Sequence, residues 1–209
     1  MSTKFSLLTA AIAAVGLSTA SASIVSLDFE GLGNLDPVGN FYSGIGVTFS
    51  DNALAIVDED AGGTGNFGDE PSPDTVLFFL NGPAATLDYA PGFTTGFSFY
   101  YSAINNPGFV NVYDGPGGTG NILATIQLPT TPFSGAPDPT GQFSPFFPIG
   151  VAFAGTAYSI DFGGTVNQIA FDNITFGSQT PVGTPDVGAP LALLGLGLVG
   201  LRACRFARK

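Results

Sequence analysis

Residues 96–128 read GFSFYYSAINNPGFVNVYDGPGGTGNILATIQL, and this stretch decides the fold. Phe97, Phe99 and Tyr101 fall at a period of two, Phe109, Asn111 and Tyr113 alternate with Val110 and Val112, and Ile122–Leu128 alternates again. A period of two belongs to a strand, whose successive side chains point to opposite faces. The runs are separated by clusters of Asn, Pro and Gly, which supply turn conformations.

The same signals recur outward in both directions. Ile24–Glu30, Gly46–Ser50, Leu54–Val57, Thr75–Leu80 and Ala85–Tyr89 precede the stretch, and Ile149–Phe153, Ala157–Phe162 and Gln168–Phe176 follow it. Helix signals are nearly absent between Ser23 and Thr180, where Gly, Pro, Asn, Thr and Ser abound. Ten or eleven short strands predict an all-β domain, a two-sheet β-sandwich of jelly-roll type. Most of the twenty Phe residues are expected on its inner faces. Tyr100 and Tyr101 must point to opposite faces of their strand, so at most one is outward.

Charge narrows the function. The 209 residues carry five Lys plus Arg, sixteen Asp plus Glu, no His, one Cys and no Trp. Between Ser23 and Pro181 there are fifteen acids and no cation, a formal charge of −15. Nucleic-acid binding, which releases counterions from phosphate with Lys and Arg, is excluded as a partner class. A histidine base, a Ser-His-Asp triad, a catalytic lysine and an arginine phosphate clamp are excluded as well. Carboxylates, hydroxyls, amides and backbone remain, a set suited to hard cations or to sugars.

The ends read as processing signals. Lys4, the apolar run Phe5–Leu17 and the small-residue site Ala20-Ser21-Ala22 predict a signal peptide, residues 1–22, cleaved after Ala22. Residues 23–178 then form the β-sandwich ectodomain, and 179–209 a linker and tail. In the tail the thirteen apolar residues Ala189–Leu201 precede Arg202, Arg205, Arg208 and Lys209. The span is shorter than the roughly 20 residues of a full transmembrane helix, and its basic stop is expected on the cytoplasmic side. Cys204, among the arginines, reads as a bystander in a segment that is later removed.

A short Pro-containing motif, a Leu/Gly-rich helix and a terminal Arg cluster together resemble the PEP-CTERM class of sorting signals. The motif is Thr184-Pro185-Asp186-Val187-Gly188, closer to the VPDSG-type variant than to Pro-Glu-Pro, with Pro185, Asp186 and Gly188 matching. The resemblance implies an exosortase-like processing enzyme as partner and transient residence in the inner membrane. It further implies release to the cell surface or an exopolysaccharide matrix of a Gram-negative-type bacterium. LDFEGLG, VYDGPGGTGNILATI and SIDFGGTVNQIAFDNITFG are similar to exported bacterial jelly-roll ectodomains that often carry such tails, and the resemblance implies an architecture like that of carbohydrate-binding modules and galactose-binding-like sandwiches.

Four sets of residues are candidate sites. Asp28 and Glu30 are two apart and so share one face of the first strand, and Asp172 joins them if the first and last strands pair. Three converging carboxylates with no cation to neutralise them predict a structural Ca²⁺ site. The acidic loop Asp58–Asp74 partly follows a Ca²⁺-loop register at Asp58, Asp60, Gly63 and Asp69, but Gly62 stands where an oxygen ligand is wanted. The repeated GGTGN at 62–66 and 117–121 is expected to form turns. Tyr42, Tyr100, Tyr101 and Tyr113 are candidates for stacking on sugars. Paired acids on a Gly-rich loop lack the rigid frame of a glycosidase, so the chain is expected to be non-enzymatic. A carbohydrate-binding module is the competing reading.

Overall fold

A computed structural model describes residues 24–131, 133 and 141–183. The expected signal helix, Ala20 and Ala22, the sorting motif and the tail helix with its basic end lie outside the described residues. Among the described residues no helix is long and apolar enough to cross a membrane.

Nine strands carry the domain: β1 (Val25–Leu27), β2 (Val47–Phe49), β3 (Ala53–Val57), β4 (Thr75–Phe79), β5 (Ala84–Ser102), β6 (Gly108–Tyr113), β7 (Ile122–Leu128), β8 (Phe147–Gly164) and β9 (Ala170–Phe176). A single 3-10 turn, Ser43–Ile45, precedes β2. Every strand pair is antiparallel.

The eleven segments of the sequence become nine because two pairs fuse. Ala85–Tyr89 and Gly96–Tyr101 are the two halves of the 19-residue β5. Ile149–Phe153 and Ala157–Phe162 are the two halves of the 18-residue β8. The halves pair with each other throughout, and register shifts between Asp88 and Thr95 mark where both strands turn over. Bulges of this kind let one strand pass from one sheet to the next.

The first sheet therefore runs β7-β6-β8-β5-β2, using the C-terminal half of β8 and the N-terminal half of β5. The second runs β3-β4-β9-β5-β8, using the other halves, with β1 added to the end of β9. The two sheets meet through aromatic rings. Phe162 of the first sheet lies 5.0–6.0 Å, centroid to centroid, from Phe97, Phe99 and Phe171 of the second. Tyr89 of the first stacks on Phe176 of the second at 4.8 Å. Phe97, Phe99, Phe162, Phe171 and Phe176 are fully buried, as the inner-face expectation requires. Offset and edge contacts suit the ring quadrupoles, and such pairs add about 0.5–1.5 kcal/mol each beyond area burial.

One strand departs from its expected course. The alternation of Ile24–Glu30 predicts Asp28 and Glu30 on a shared face, but β1 ends at Leu27 and Phe29 is left-handed at φ 61°. The Phe29 ring stays in the core, and its amide donates to Tyr42 Oη at 2.6 Å. That conformation costs an L-residue about 1–2 kcal/mol, and core burial of the ring offsets it. Asp28 and Glu30 consequently leave in different directions.

Candidate functional site

The two sheets have different outer faces. On the first, Phe109, Asn111 and Tyr113 of β6 point outward, because Val110 and Val112 between them are fully buried in the core. At about 3.3 Å per residue, Phe109 and Tyr113 stand about 13 Å apart along the strand. Asn111 sits midway between these two half-buried rings.

Strand register supplies the neighbours. Phe109 pairs with Gly163, Asn111 with Asp161 and Tyr113 with Ser159 across β8, and Asn111 pairs with Thr125 across β7. Asp161 in turn pairs with Thr86 on β5. The Phe109 ring leans across β8: a Cβ on Gly163 would meet its Cζ at 2.2 Å. Only glycine at 163 lets the ring lie there.

The polar groups form two hydrogen-bonded sets side by side across four strands. Thr86 Oγ1 donates to Asp161 Oδ1 at 2.6 Å, and Thr125 Oγ1 donates to Asn111 Oδ1 at 2.8 Å. Asn111 Nδ2 donates to Tyr113 Oη at 3.4 Å. The Tyr113 hydroxyl stands near enough to Asp161 to feel its charge. Partial burial and then the Asp161 charge push the Tyr113 hydroxyl above its ordinary value, so it remains a donor at neutral pH.

The β6–β7 loop closes one side. Gly117 N–H donates to Asp88 Oδ1 at 2.5 Å and Gly118 N–H to Ser159 Oγ at 3.0 Å, while Ser159 Oγ donates to the Gly115 carbonyl at 2.5 Å. Gly118 is left-handed at φ 68°, and a Cβ there would come within 2.8 Å of Asp161 Oδ2. At the base of the loop Asp114 accepts from the Asn121 amide at 2.6 Å and from its side chain at 2.8 Å. Those bonds hold the Asp114 carboxyl below the usual carboxylate range. Of the two GGTGN copies, both expected as hairpin turns, the second lies in the β6–β7 hairpin loop, and the first lies in the long β3–β4 connection, where Gly65 forms a parallel bridge with Asp58.

The second sheet presents no such surface. Val76, Phe78, Ser98, Ser102, Asp172 and Thr175 point outward from its strands, yet all are buried. The 58–74 loop covers one part: Phe67 packs with Val76, Phe146 and Ala170. The chain after β9 covers another. Ser98 Oγ donates to the Ser178 carbonyl at 3.0 Å and Val182 N–H to Thr175 Oγ1 at 3.1 Å, which lays residues 178–182 across β5 and β9.

Asp172 sits under this cover, on the β9 bulge where Asn173 is left-handed at φ 47°. Its Oδ2 lies 2.6 Å from Ser72 Oγ and accepts the Ser72 amide at 2.9 Å, and its Oδ1 accepts the Asn173 amide at 2.7 Å. Ser72 Oγ also lies 3.0 Å from the Asp28 carbonyl. A serine hydroxyl has one hydrogen, and it cannot serve both acceptors. With Asp172 neutral, its proton goes to Ser72 Oγ and the Ser72 hydrogen goes to the Asp28 carbonyl. Burial pushes the Asp172 carboxyl up to about 7, with a further contribution from Glu30, against the opposing hydrogen bonds from Ser72 and Asn173.

The expected carboxylate trio is therefore brought close and separately employed. β1 pairs with β9 as expected, Leu27 opposite Ile174. Glu30 Oε1 accepts the Asp74 and Thr75 amides at 3.0 and 2.9 Å. Asp28 Oδ1 receives the Glu30 amide at 3.3 Å and faces Tyr42 Oη at 3.5 Å. Burial and then the charges of Asp28 and Asp172 raise the Tyr42 hydroxyl well above its ordinary value, although the Phe29 amide opposes this. Among the described residues no three Asp, Glu, His or Cys side chains are grouped to hold a metal ion. In the acidic loop the Asp58 carboxylate accepts the Glu59 amide at 2.7 Å and is buried.

Of the four tyrosines, only Tyr113 lies in the open network on the first sheet. Tyr101 is buried and donates to the Pro129 carbonyl at 3.1 Å, Tyr100 packs with the Phe67 cluster, and Tyr42 packs against Phe29, Phe41 and Phe49. Phe109, Asn111, Asp161 and Thr86 were not singled out by sequence. The outward trio is visible in FVNVY, but the partners on β5, β7 and β8 follow from register, which the sequence does not display.

No family model matches the chain, and no curated protein matches it in sequence. Among solved structures, the K1 cleaved adhesin domain of Lys-gingipain from Porphyromonas gingivalis W83 is 13% identical over 75% of this chain and 98% of its own, with a TM-score of 0.47. The K3 cleaved adhesin domain of the same protein is 16% identical over 74% and 98%, with a TM-score of 0.42. A carbohydrate-binding module of Cellvibrio mixtus lichenase 5A, in complex with cellotriose, is 13% identical over 61% and 87%, with a TM-score of 0.36. The sandwich described above rests on this chain's own strand register.

Proposed function

We propose that the chain is a non-enzymatic, exported surface or matrix protein whose jelly-roll-type sandwich binds glycan on the outer face of the first sheet. The observation that carries this reading is the file Phe109–Asn111–Tyr113, two rings flanking an amide that is hydrogen-bonded to Tyr113 and Thr125, beside the hydrogen-bonded pair Thr86 and Asp161. Sugars present apolar ring faces and hydroxyl edges together. Half-exposed rings beside prearranged acceptors and donors match both, and side chains already held by one another lose little freedom on binding. Export and exosortase-like processing complete the proposal, on the strength of the terminal segments' resemblance.

Affinity electrophoresis of the full-length protein through gels containing soluble polysaccharides tests the binding. The wild-type protein is expected to be retarded by at least one polysaccharide, and the Phe109→Ala/Tyr113→Ala variant to lose at least tenfold in affinity while keeping its thermal transition. Absence of retardation across the panel, or equal retardation of the variant, refutes the reading.

A further inference from the structure

The face also specifies what kind of glycan it takes. We propose that it binds a neutral glycan, as a chain lying along β6, and rejects polyuronates and sulfated polymers. This rests on the glycan-binding reading above.

The first argument is charge. Asp88, Asp114 and Asp161 surround the face, and the sequence from Ser23 to Pro181 offers no Lys, Arg or His to offset them. The polar atoms that fix ligand orientation are mainly acceptors. A carboxylate has about four lone-pair sites, and Asp161 uses one of its sites on the Thr86 hydroxyl. The remaining sites want donors, and a sugar hydroxyl is a donor. Hydrogen bonds to an ionised acceptor are shorter and stronger than neutral ones. A uronate or sulfate brings a further anion against these fixed carboxylates, with no protein cation to receive it. Recognition of anionic polymers uses Arg or Lys, and here both are missing from the described domain.

The second argument is direction. Phe109 and Tyr113 lie on one strand about 13 Å apart, with Asn111 between them. A single hexose reaches one ring; a chain parallel to β6 reaches both and passes Asn111. The Gly117–Gly118 turn, latched to Asp88 and Ser159, stands beside Tyr113 over β8 and β5. It blocks a path across the strands on that side and leaves the path along β6 open. Asp161 touches this turn and belongs to the polar groups of the face, so it faces the ligand from the latched side.

The test compares three probes on the full-length protein: a neutral mixed-linkage glucan or galactan, polygalacturonate in EDTA, and polygalacturonate in Ca²⁺. Binding to a neutral polymer, with polygalacturonate at least tenfold weaker in both conditions, is the expected result. Affinity for neutral oligosaccharides is expected to rise with length until both rings are spanned. Asp161→Asn, which keeps the shape and removes the charge, is expected to weaken neutral binding several-fold and to narrow the discrimination against polygalacturonate. Preferential binding of polygalacturonate, with or without Ca²⁺, overturns the neutral assignment and leaves the glycan-binding reading standing. So does an Asp161→Asn variant with unchanged selectivity. Failure of every glycan to bind overturns both.

Discussion

The outer faces of the two sheets are built by the same rule and end differently. Each is the polar side of alternating strands, Thr86, Asn111, Ser159 and Asp161 on one, Ser98, Ser102, Asp172 and Thr175 on the other. The second face is roofed by the 58–74 loop and by residues 178–182, so the polar atoms of Ser98, Asp172 and Thr175 are spent inside the protein and Ser102 Oγ is buried without a partner. Among the described residues the first is crossed by the glycine turn of the β6–β7 loop, which buries Ser159, while Thr86, Asn111 and Asp161 stay half-exposed. Polarity of an outward side chain therefore says little about availability. What the loops do afterwards decides which face can meet a ligand.

A pair of glycines separates the two faces experimentally, and the one beside the C-terminal segment should give the larger effect on stability. Gly150 is exposed, but the backbone of that segment passes close by it: an added Cβ would meet the Gln179 carbonyl oxygen at 2.1 Å and Ser98 Cβ at 2.7 Å. Gly150→Ala is expected to destabilise by about 1–3 kcal/mol, the usual cost of overpacking, and to leave glycan affinity untouched. Urea unfolding and affinity electrophoresis on the same sample check both halves of that statement.

Next in size is the buried acid under the roof. In the unfolded chain Asp172 titrates near 4; in the folded chain burial raises it to about 7. Between those values the folded chain holds a proton that the unfolded chain has lost. Its contribution to stability is thus complete below about pH 4, falls as pH rises, and is lost through about pH 7. Asp172→Asn should abolish that slope while carrying a constant penalty of about 1–3 kcal/mol, because its amide group confronts either the Ser72 or the Asn173 N–H. Urea midpoints at pH 5 and pH 8 read the difference; an Asn variant that keeps the wild-type slope rejects the assignment.

Gly163→Ala is the counterpart on the open face. Its methyl group would displace the Phe109 ring, which can swing toward solvent. Gly163 itself is buried beneath that ring, so stability is expected to fall by about 1 kcal/mol, less than at Gly150 because a ring can move outward where the Gln179 backbone cannot, and glycan affinity to fall several-fold. If Gly163→Ala proves the more destabilising and Gly150→Ala the more damaging to binding, the two faces have been assigned the wrong way round.

The sequence carried much of this frame. Period-two runs located the strands, Val110 and Val112 showed which side of β6 faces the core, and the pairing of first with last strand brought Asp172 toward Asp28. Three things were hidden. Continuity of β5 and β8 depends on bulges, and the Gly and Pro residues at such bends look like ends of strands. The left-handed Phe29 broke the shared face of Asp28 and Glu30, since its cost is met by a buried ring and a Tyr42 hydrogen bond distant in sequence. Loop coverage was equally silent: Ser72 is an ordinary loop residue until it meets Asp172 across 100 positions.

The course of residues 178–182 has an orienting consequence. They run over the back of the second sheet, held at Ser98 and Thr175, before the chain moves on past residue 183. A restraint acting on the chain at residue 183 would therefore act on the outer face opposite the Phe109–Tyr113 file, and would leave that file clear.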